Sequence, residues 1–285
     1  MNSLTLAERV AVTDKLDYLI LKFLIQKREK YQVIPKSIIK NSLNLTENEY
    51  AVSSLRLLKT GAVTKTRIRG EEALSITFTG LDIVATKSLY TKKILNRLGI
   101  VIGEGKESKV HFGYSFSDDT VAVKYHRIGR RTYKRKIDEF YNGNWISMTL
   151  ENAKREYENL ECVKRNMGNV PSPLGFSVNA VVMEYFEGIP LYRTEVQDPE
   201  NVLDKILATL RISQVYCDGL THGDLSPYNV LVDESQNVMI IDWPQATRDN
   251  EALEADVENI LSYFDRKYSI SRDFEEVIDY VKGKT

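Results

Sequence analysis

The period of apolar positions changes several times along the chain, and each change marks an element. Within Leu6–Lys27 the apolar residues Leu16, Leu19, Ile20, Phe23 and Leu24 recur at helical spacing opposite a polar face, which predicts an amphipathic helix. Pro35 stands at the favoured first-turn position of a second helix over 35–41. Thr46-Glu-Asn-Glu49 matches a capping box and opens a third helix, with Tyr50, Val52, Leu55 and Leu58 as its predicted buried face. Gly61 occupies the expected position just past its end. The period then falls to two over 62–68 and 74–78, around a turn at Arg69-Gly-Glu-Glu72, which predicts a β-hairpin.

A helical connector is expected over 86–99, from Leu89 to Leu98 and ending at Gly99. Strand-like runs follow at Ile100–Gly103, Val110–Phe112 and Thr120–Lys124, the first two joined through Gly103-Glu-Gly105. Residues 147–166 return to helical periodicity, 178–182 to a strand, and Leu203–Cys217 to a helix burying Leu203, Ile206, Leu207, Leu210 and Val215. Val230-Leu-Val232 and Val238–Ile241 flank the turn Asp233–Asn237 as a second hairpin. Helices over 256–264 and 274–281 complete the pattern.

Composition narrows this picture modestly. At 285 residues and 42% apolar content the chain is long enough for two domains with real cores. The formal net charge of −1 argues neither for nor against a polyanionic partner, but its distribution is uneven. Residues 121–137 contain seven Lys or Arg and no acid, whereas the last thirty-five residues lean acidic. Residues 127–147 lack a sustained apolar stripe and predict a mobile basic loop, with Thr132 as a candidate phosphorylation site. Cys162 and Cys217 suggest two ordinary small core residues in a reducing compartment, and neither a disulfide framework nor a zinc site. No apolar run approaches eighteen residues and no secretory h-region is evident, so a soluble, cytoplasmic protein without membrane contact is expected.

The densest chemistry lies in His222-Gly-Asp224-Leu-Ser-Pro-Tyr-Asn229, followed thirteen residues later by Asp242. The intervening hairpin would hold the Asn229 amide and the Asp242 carboxylate at one rim, with Asp224 on the loop before them. Two oxygen donors suit a hard Mg²⁺ carried on nucleotide phosphates, with Mn²⁺ as an alternative, and Asp224 suits a base for an incoming hydroxyl. Upstream, the Gly103–Gly105 turn with Lys106 and Ser108 could let backbone and hydroxyl groups approach phosphates; it joins two strands, unlike a Rossmann or Walker loop. Thr120-Val-Ala-Val-Lys124 is an alternating strand ending on Lys. Glu156, in the helix 147–166, is the acid chosen to orient that Lys; Glu158 points about 200° away around the helix. Each feature has a plain structural alternative, such as a polar turn, an edge lysine or a solvated acid, and their order gives them weight.

From residue 100 onward, Gly103-Glu-Gly-Lys-Glu-Ser108, Val121-Ala-Val-Lys124, Met183-Glu-Tyr-Phe186, His222-Gly-Asp-Leu-Ser-Pro-Tyr-Asn229 and Ile241-Asp-Trp-Pro-Gln245 occur in protein-kinase order. Together they resemble the RIO atypical kinases. The helix-helix-helix-hairpin start resembles the winged-helix module of their second subfamily, and the compact length resembles archaeal members. The resemblance implies an α+β fold: a winged helix-turn-helix domain over 1–85, the connector 86–99, a kinase N-lobe over 100–185 with the insertion 127–147, and a C-lobe over 186–285. It implies an ATP-dependent serine/threonine kinase or ATPase in small-subunit ribosome maturation. Asp224 matches the catalytic base, Asn229 and Asp242 the metal ligands, and Lys124 with Glu156 the phosphate-anchoring pair. Gly103, Gly105, Lys106 and Ser108 match the phosphate loop, and Met183, Glu184 and Phe186 the adenine-binding hinge. The winged helix (with Lys59, Lys65, Arg67 and Arg69) and the basic loop would contact precursor small subunits or rRNA. Asp242-Trp-Pro replaces Asp-Phe-Gly and no activation loop follows, so the implied two-lobed domain lacks an evident peptide platform. An ATP-driven switch passing through phosphorylated Asp242 is the resulting competitor. Two further alternatives are a small-molecule kinase of the aminoglycoside or choline type and a non-catalytic ATP-binding assembly factor.

Overall fold

The computed structural model describes residues 4–128 and 145–284, which divide into two compact units: the described residues within 1–154 and 175–182, and those within 155–174 and 183–285. The central part of the basic insertion, 129–144 including Thr132, lies outside the described residues.

In the first unit the single helix expected over 6–27 is two helices, α1 (Leu6–Val12) and α2 (Lys15–Gln26). The break comes from local chemistry: Asp14 accepts hydrogen bonds from the Leu16 and Asp17 amides and starts α2 afresh. Helix α3 (Lys36–Leu43) follows the short strand β1 (Ile34–Pro35), and α4 (Glu47–Lys59) opens with the expected Thr46–Glu49 capping box. The hairpin β2 (Val63–Ile68) and β3 (Glu71–Ile76) completes a sheet of order β1-β3-β2. This is the order of helices and strands of a winged helix.

The buried face of α4 differs from expectation. Tyr50, Ser53, Ser54 and Leu57 point inward, while Val52 and Leu55 remain 48% and 54% exposed. The buried set keeps i, i+3, i+4, i+7 spacing, and two small serines allow the close approach that longer side chains would prevent. Leu19 of α2, also expected inside, is 45% exposed; Ile20, Leu21, Phe23 and Leu24 form the core with Tyr50 and Leu57.

The connector helix starts earlier than expected. Helix α5 (Phe78–Thr91) is capped by Thr77, whose hydroxyl accepts from the Gly80 amide at 3.1 Å, and it stops before Lys93 in the left-handed region. Residues from Arg97 are already strand: β4 (Arg97–Glu104), β5 (Ser108–Tyr114) and β6 (Thr120–His126) are consecutive antiparallel neighbours. With β7 (Pro173–Ser177) and β8 (Ala180–Glu184) they make a five-stranded sheet of order β4-β5-β6-β8-β7. Helix α6 (Trp145–Arg165) begins inside the segment expected to be loop.

The second unit is mainly helical. Helix α7 (Pro199–Tyr216) begins at Asp198-Pro199, a capping acid followed by proline at the first helical position, and buries Leu203, Ile206, Leu207 and Leu210. Val215, expected inside, is 44% exposed. A small sheet of order β11-β10-β9 joins β9 (Ile189–Pro190), β10 (Val230–Val232) and β11 (Val238–Ile240). Helices α8 (Asn250–Tyr268) and α9 (Phe274–Val281) close the chain. Among the described residues no helix is long and apolar enough to cross a membrane.

The cysteines are a correction. Cys162, late in α6, and Cys217, at the end of α7, form a disulfide with Cα atoms 6.0 Å apart. Their 55-residue separation hid a pairing that only the packing of two helix ends creates. Closing a loop of that size is worth about 4 kcal/mol through the unfolded chain. Reduction, or Cys162→Ser with Cys217→Ser, is therefore expected to lower the thermal midpoint by several degrees. A scan with and without a thiol reductant checks this, together with a free-thiol count of zero before reduction.

Candidate active site

The hairpin β10–β11 is the frame of the site in the second unit. Val230 pairs with Ile240 and Val232 with Val238, and the five-residue turn is pinned by Asp233, which accepts from the Asn237 amide at 2.8 Å. At the open end the Ile241 amide donates to the Asn229 carbonyl at 2.9 Å. That bond brings Asn229 and the segment bearing Asp242 side by side, as the spacing predicts. The Asn229 Nδ2 donates to the Asp224 carbonyl at 2.8 Å, so all three residues share one hydrogen-bonded corner. With its nitrogen committed, the amide retains its oxygen as a donor to a cation. The Asp224 side chain is exposed, and Asn229 and Asp242 are half-buried.

The backbone around this corner is held in unusual conformations. Asp242 has φ +75°, a region costly for a non-glycine residue and found where the surroundings impose it. Trp243, fully buried, anchors the next position through Nε1, which donates to the Ile240 carbonyl at 3.1 Å. Asn159 and Arg155 donate to the Trp243 and Pro244 carbonyls, at 3.1 and 3.0 Å. Gly223 has φ +80°, and a Cβ there would stand 2.7 Å from the Gln245 carbonyl oxygen, so no other residue fits.

His222 is fully buried and serves as a brace. Its Nε2 donates to the Ile241 carbonyl at 2.9 Å and its Nδ1 accepts from the Asp224 amide at 3.3 Å, which assigns the neutral Nε2–H tautomer. Its ring lies 4.8 Å from that of Trp243. One imidazole thus links the loop bearing Asp224 to the segment carrying Asp242.

Sequence reasoning missed the residue that supports this loop most directly. Asp256 of α8 is 2% exposed and accepts from the Gly223 amide at 2.8 Å and the Leu225 amide at 2.7 Å. Burial pushes its carboxyl up, opposed by those two amides, and the nearby Asp224 carboxylate adds to the rise. Asn259, one turn on, donates to the Leu225 carbonyl at 3.2 Å. An acid on the apolar face of α8 was the available signal, because buried acids are rare without partners.

At the start of this unit, Met183 is buried, and Glu184 and Phe186 are half-buried. The Glu184 amide donates to the Ser172 carbonyl at 2.9 Å, and its carboxylate accepts from the Ser172 amide and hydroxyl at 3.0 and 2.8 Å. Burial would raise the Glu184 carboxyl, but the Ser172 bonds and Lys164 at 3.7 Å hold it below the usual range. Glu156 lies on α6 at 1% exposure.

The remaining predicted residues belong to the first unit. Gly103 pairs with Val110 across β4 and β5, and the Gly105 amide donates to the Ser108 carbonyl at 3.0 Å, closing a tight turn with Lys106 exposed at its tip. Lys124, 7% exposed, pairs in register with Val110 on β5. Three residues beyond it, Arg127 pairs with Asp82, a fully buried α5 carboxylate that also accepts from Asn179 Nδ2 at 2.8 Å. The strand presenting Lys124 is therefore fastened at its end by a buried ion pair.

Comparison with known proteins bears on family and fold. The RIO domain family matches residues 109–277. A RIO-type serine/threonine-protein kinase Rio2 of Methanocaldococcus jannaschii is 28% identical over 262 residues, covering 87% of this chain and 95% of that protein. The serine/threonine-protein kinase rio2 of Schizosaccharomyces pombe is 27% identical, covering 87% of this chain and 76% of its own length. In fold, the chain is similar to the Chaetomium thermophilum Rio2 kinase solved as an ADP/Mg²⁺-phosphoaspartate complex, with TM-score 0.81 and 22% identity. That alignment covers 96% of this chain and 88% of the other. The small sheet carrying Asn229, the buried brace at His222 and the family match over residues 109–277 lead to one conclusion: the chain belongs to the RIO family of atypical serine/threonine kinases.

Proposed function

We propose that the chain binds ATP with Mg²⁺ and transfers the γ-phosphoryl group, with Asp224 directing the acceptor and with precursor small ribosomal subunits as its place of work. The observation that carries this reading is the corner formed by Asp224, Asn229 and Asp242. Its backbone is fixed by His222 and Asp256, while the Asp224 carboxylate stays exposed to an incoming hydroxyl. Residues 1–85 would act as the docking module, and 100–185 and 186–285 as the two lobes.

The donor set fits the implied ion. Asn229 and Asp242 offer only oxygen ligands, which suit hard Mg²⁺ or Mn²⁺. These two residues would hold the ion, which would supply charge neutralisation for the phosphates. Lys124 adds a point charge to the phosphates, and the turn Gly103–Ser108 supplies amides and a hydroxyl. Backbone groups of Met183, Glu184 and Phe186 bond the adenine edge. Asp224 accepts a hydrogen bond from a Ser, Thr or water nucleophile and holds it in line.

The strained Asp242 supports a second route to the same products. Its carboxylate oxygen would attack the γ-phosphorus, ADP would leave, and water would then hydrolyse the aspartyl phosphate to free phosphate. A phosphoaspartate occurs in the C. thermophilum Rio2 complex, whose fold this chain shares. Aminoglycoside- or choline-type chemistry is disfavoured by the winged-helix start, which no small substrate requires.

Three outcomes are expected. Asp224→Ala should lower ATP turnover by roughly 10²-fold or more with nucleotide affinity changed only a few-fold; unchanged turnover would remove Asp224 from the mechanism. Asp256→Ala strands two amides that it now satisfies, so it should cost about 3 kcal/mol of stability and reduce kcat more than nucleotide binding. Paired denaturation and steady-state measurements check that pattern. Finally, labelled γ-phosphate followed with and without purified small-subunit precursors separates the routes. Particle-stimulated free phosphate supports the switch, and stable label on a particle Ser or Thr supports the kinase.

A further inference from the structure

The charge of the chain is divided along its length. Residues 186–285 hold 20 Asp and Glu against 9 Lys and Arg, whereas residues 1–185 hold 20 against 30. The loop bearing Asp224 therefore belongs to a strongly acidic stretch, and it ends in an exposed aromatic ring. Tyr228, the residue before Asn229, is 62% exposed. Its ring stacks on Tyr192 with centroids 4.1 Å apart and planes inclined by 35°.

This pair is built into the fold. The Tyr192 amide donates to the Pro227 carbonyl at 3.3 Å, and Pro190, two residues earlier, pairs with Leu231 across β9 and β10. Leu191 between them is fully buried, and its carbonyl accepts from the Tyr263 hydroxyl at 2.7 Å. Tyr192 is thus a fixed backing, and Tyr228 lies on it with much of its surface in solvent. Stacked rings normally bury their faces in a core or interface, so an exposed pair four residues from Asp224 marks a contact surface.

The charge distribution decides what it contacts. An aromatic face attracts a guanidinium or ammonium group, the more so beside a carboxylate such as Asp224. The same motif already operates within the chain, where the Arg193 guanidinium lies 5.1 Å from the Tyr192 centroid. A nucleic acid would also stack on tyrosine, but its phosphates would be repelled by the acid excess of this half. We propose that Tyr228, backed by Tyr192, is the acceptor-docking platform, taking a Lys or Arg side chain of a basic polypeptide segment whose Ser or Thr reaches Asp224. The proposal rests on the kinase reading and names its substrate class. It also supplies the peptide platform that the missing activation loop leaves open.

The test uses the full chain and two Ser/Thr peptides, one flanked by Lys and Arg and one with those positions changed to Gln. Binding is measured by fluorescence anisotropy in ADP·Mg²⁺, and transfer by labelled ATP. The basic peptide is expected to bind the wild type more tightly than the neutral one. Tyr228→Ala should cut that preference roughly five- to twentyfold, and Tyr228→Phe, which keeps the ring, should retain it. Binding of the basic peptide without phosphate transfer would sustain the platform while counting against the kinase reading. Equal binding of both peptides, or a preference unchanged by Tyr228→Ala, would overturn it. So would loss of ADP binding in that variant, or single-stranded RNA binding that depends on Tyr228 and displaces the basic peptide.

Discussion

The Asp256 carboxylate, buried beneath the Gly223 and Leu225 amides, is the interaction on which the site depends. A loop carrying an exposed acid has few contacts of its own, because its side chain faces solvent. Its position must come from the backbone, whose donors must be satisfied when buried. Asp256 does this from α8, a helix fixed by Val257, Ile260 and Phe264 in the core. An apolar replacement of equal size would pack, but it would leave two buried amides without acceptors. The ionic form is costly to bury, and the two donors are what offset that cost.

From this anchor order spreads through short range contacts. Gly223 adopts its left-handed conformation against Gln245, and His222 ties the same loop to Ile241. The Ile241 amide then holds the Asn229 carbonyl, so Asp242 begins where the hairpin ends. The positive φ at Asp242 is a local backbone cost incurred where the chain leaves the hairpin. Buried Trp243 keeps that turn from relaxing, because its indole N–H and ring are both committed.

How much of this was legible follows from the range of the forces involved. The Thr46 capping box, the Gly61 stop and the β10–β11 turn are local chemistry, and they appear where the residues predict them. The start of α5 was misplaced because Thr77 caps it inside what alternation alone marks as strand. The inward face of α4 was misassigned since hydrophobicity ranks Val52 and Leu55 above Ser53 and Ser54, whereas close packing favours the serines. Asp256 and the Cys162–Cys217 bridge depend on partners far along the chain, and a single sequence does not show which distant residues meet.

The division of charge gives these local arrangements a larger logic. The acidic stretch carries Asp224, Asn229 and Asp242, where a carboxylate-rich field favours cations. The basic half carries Lys124, the turn Gly103–Ser108 and an exposed hairpin with Lys65, Arg67 and Arg69, all suited to phosphates. On α4 the exposed residues Asn48, Ala51, Val52, Leu55 and Lys59, with Glu47 and Glu49 in the first turn, make a mixed polar and apolar surface.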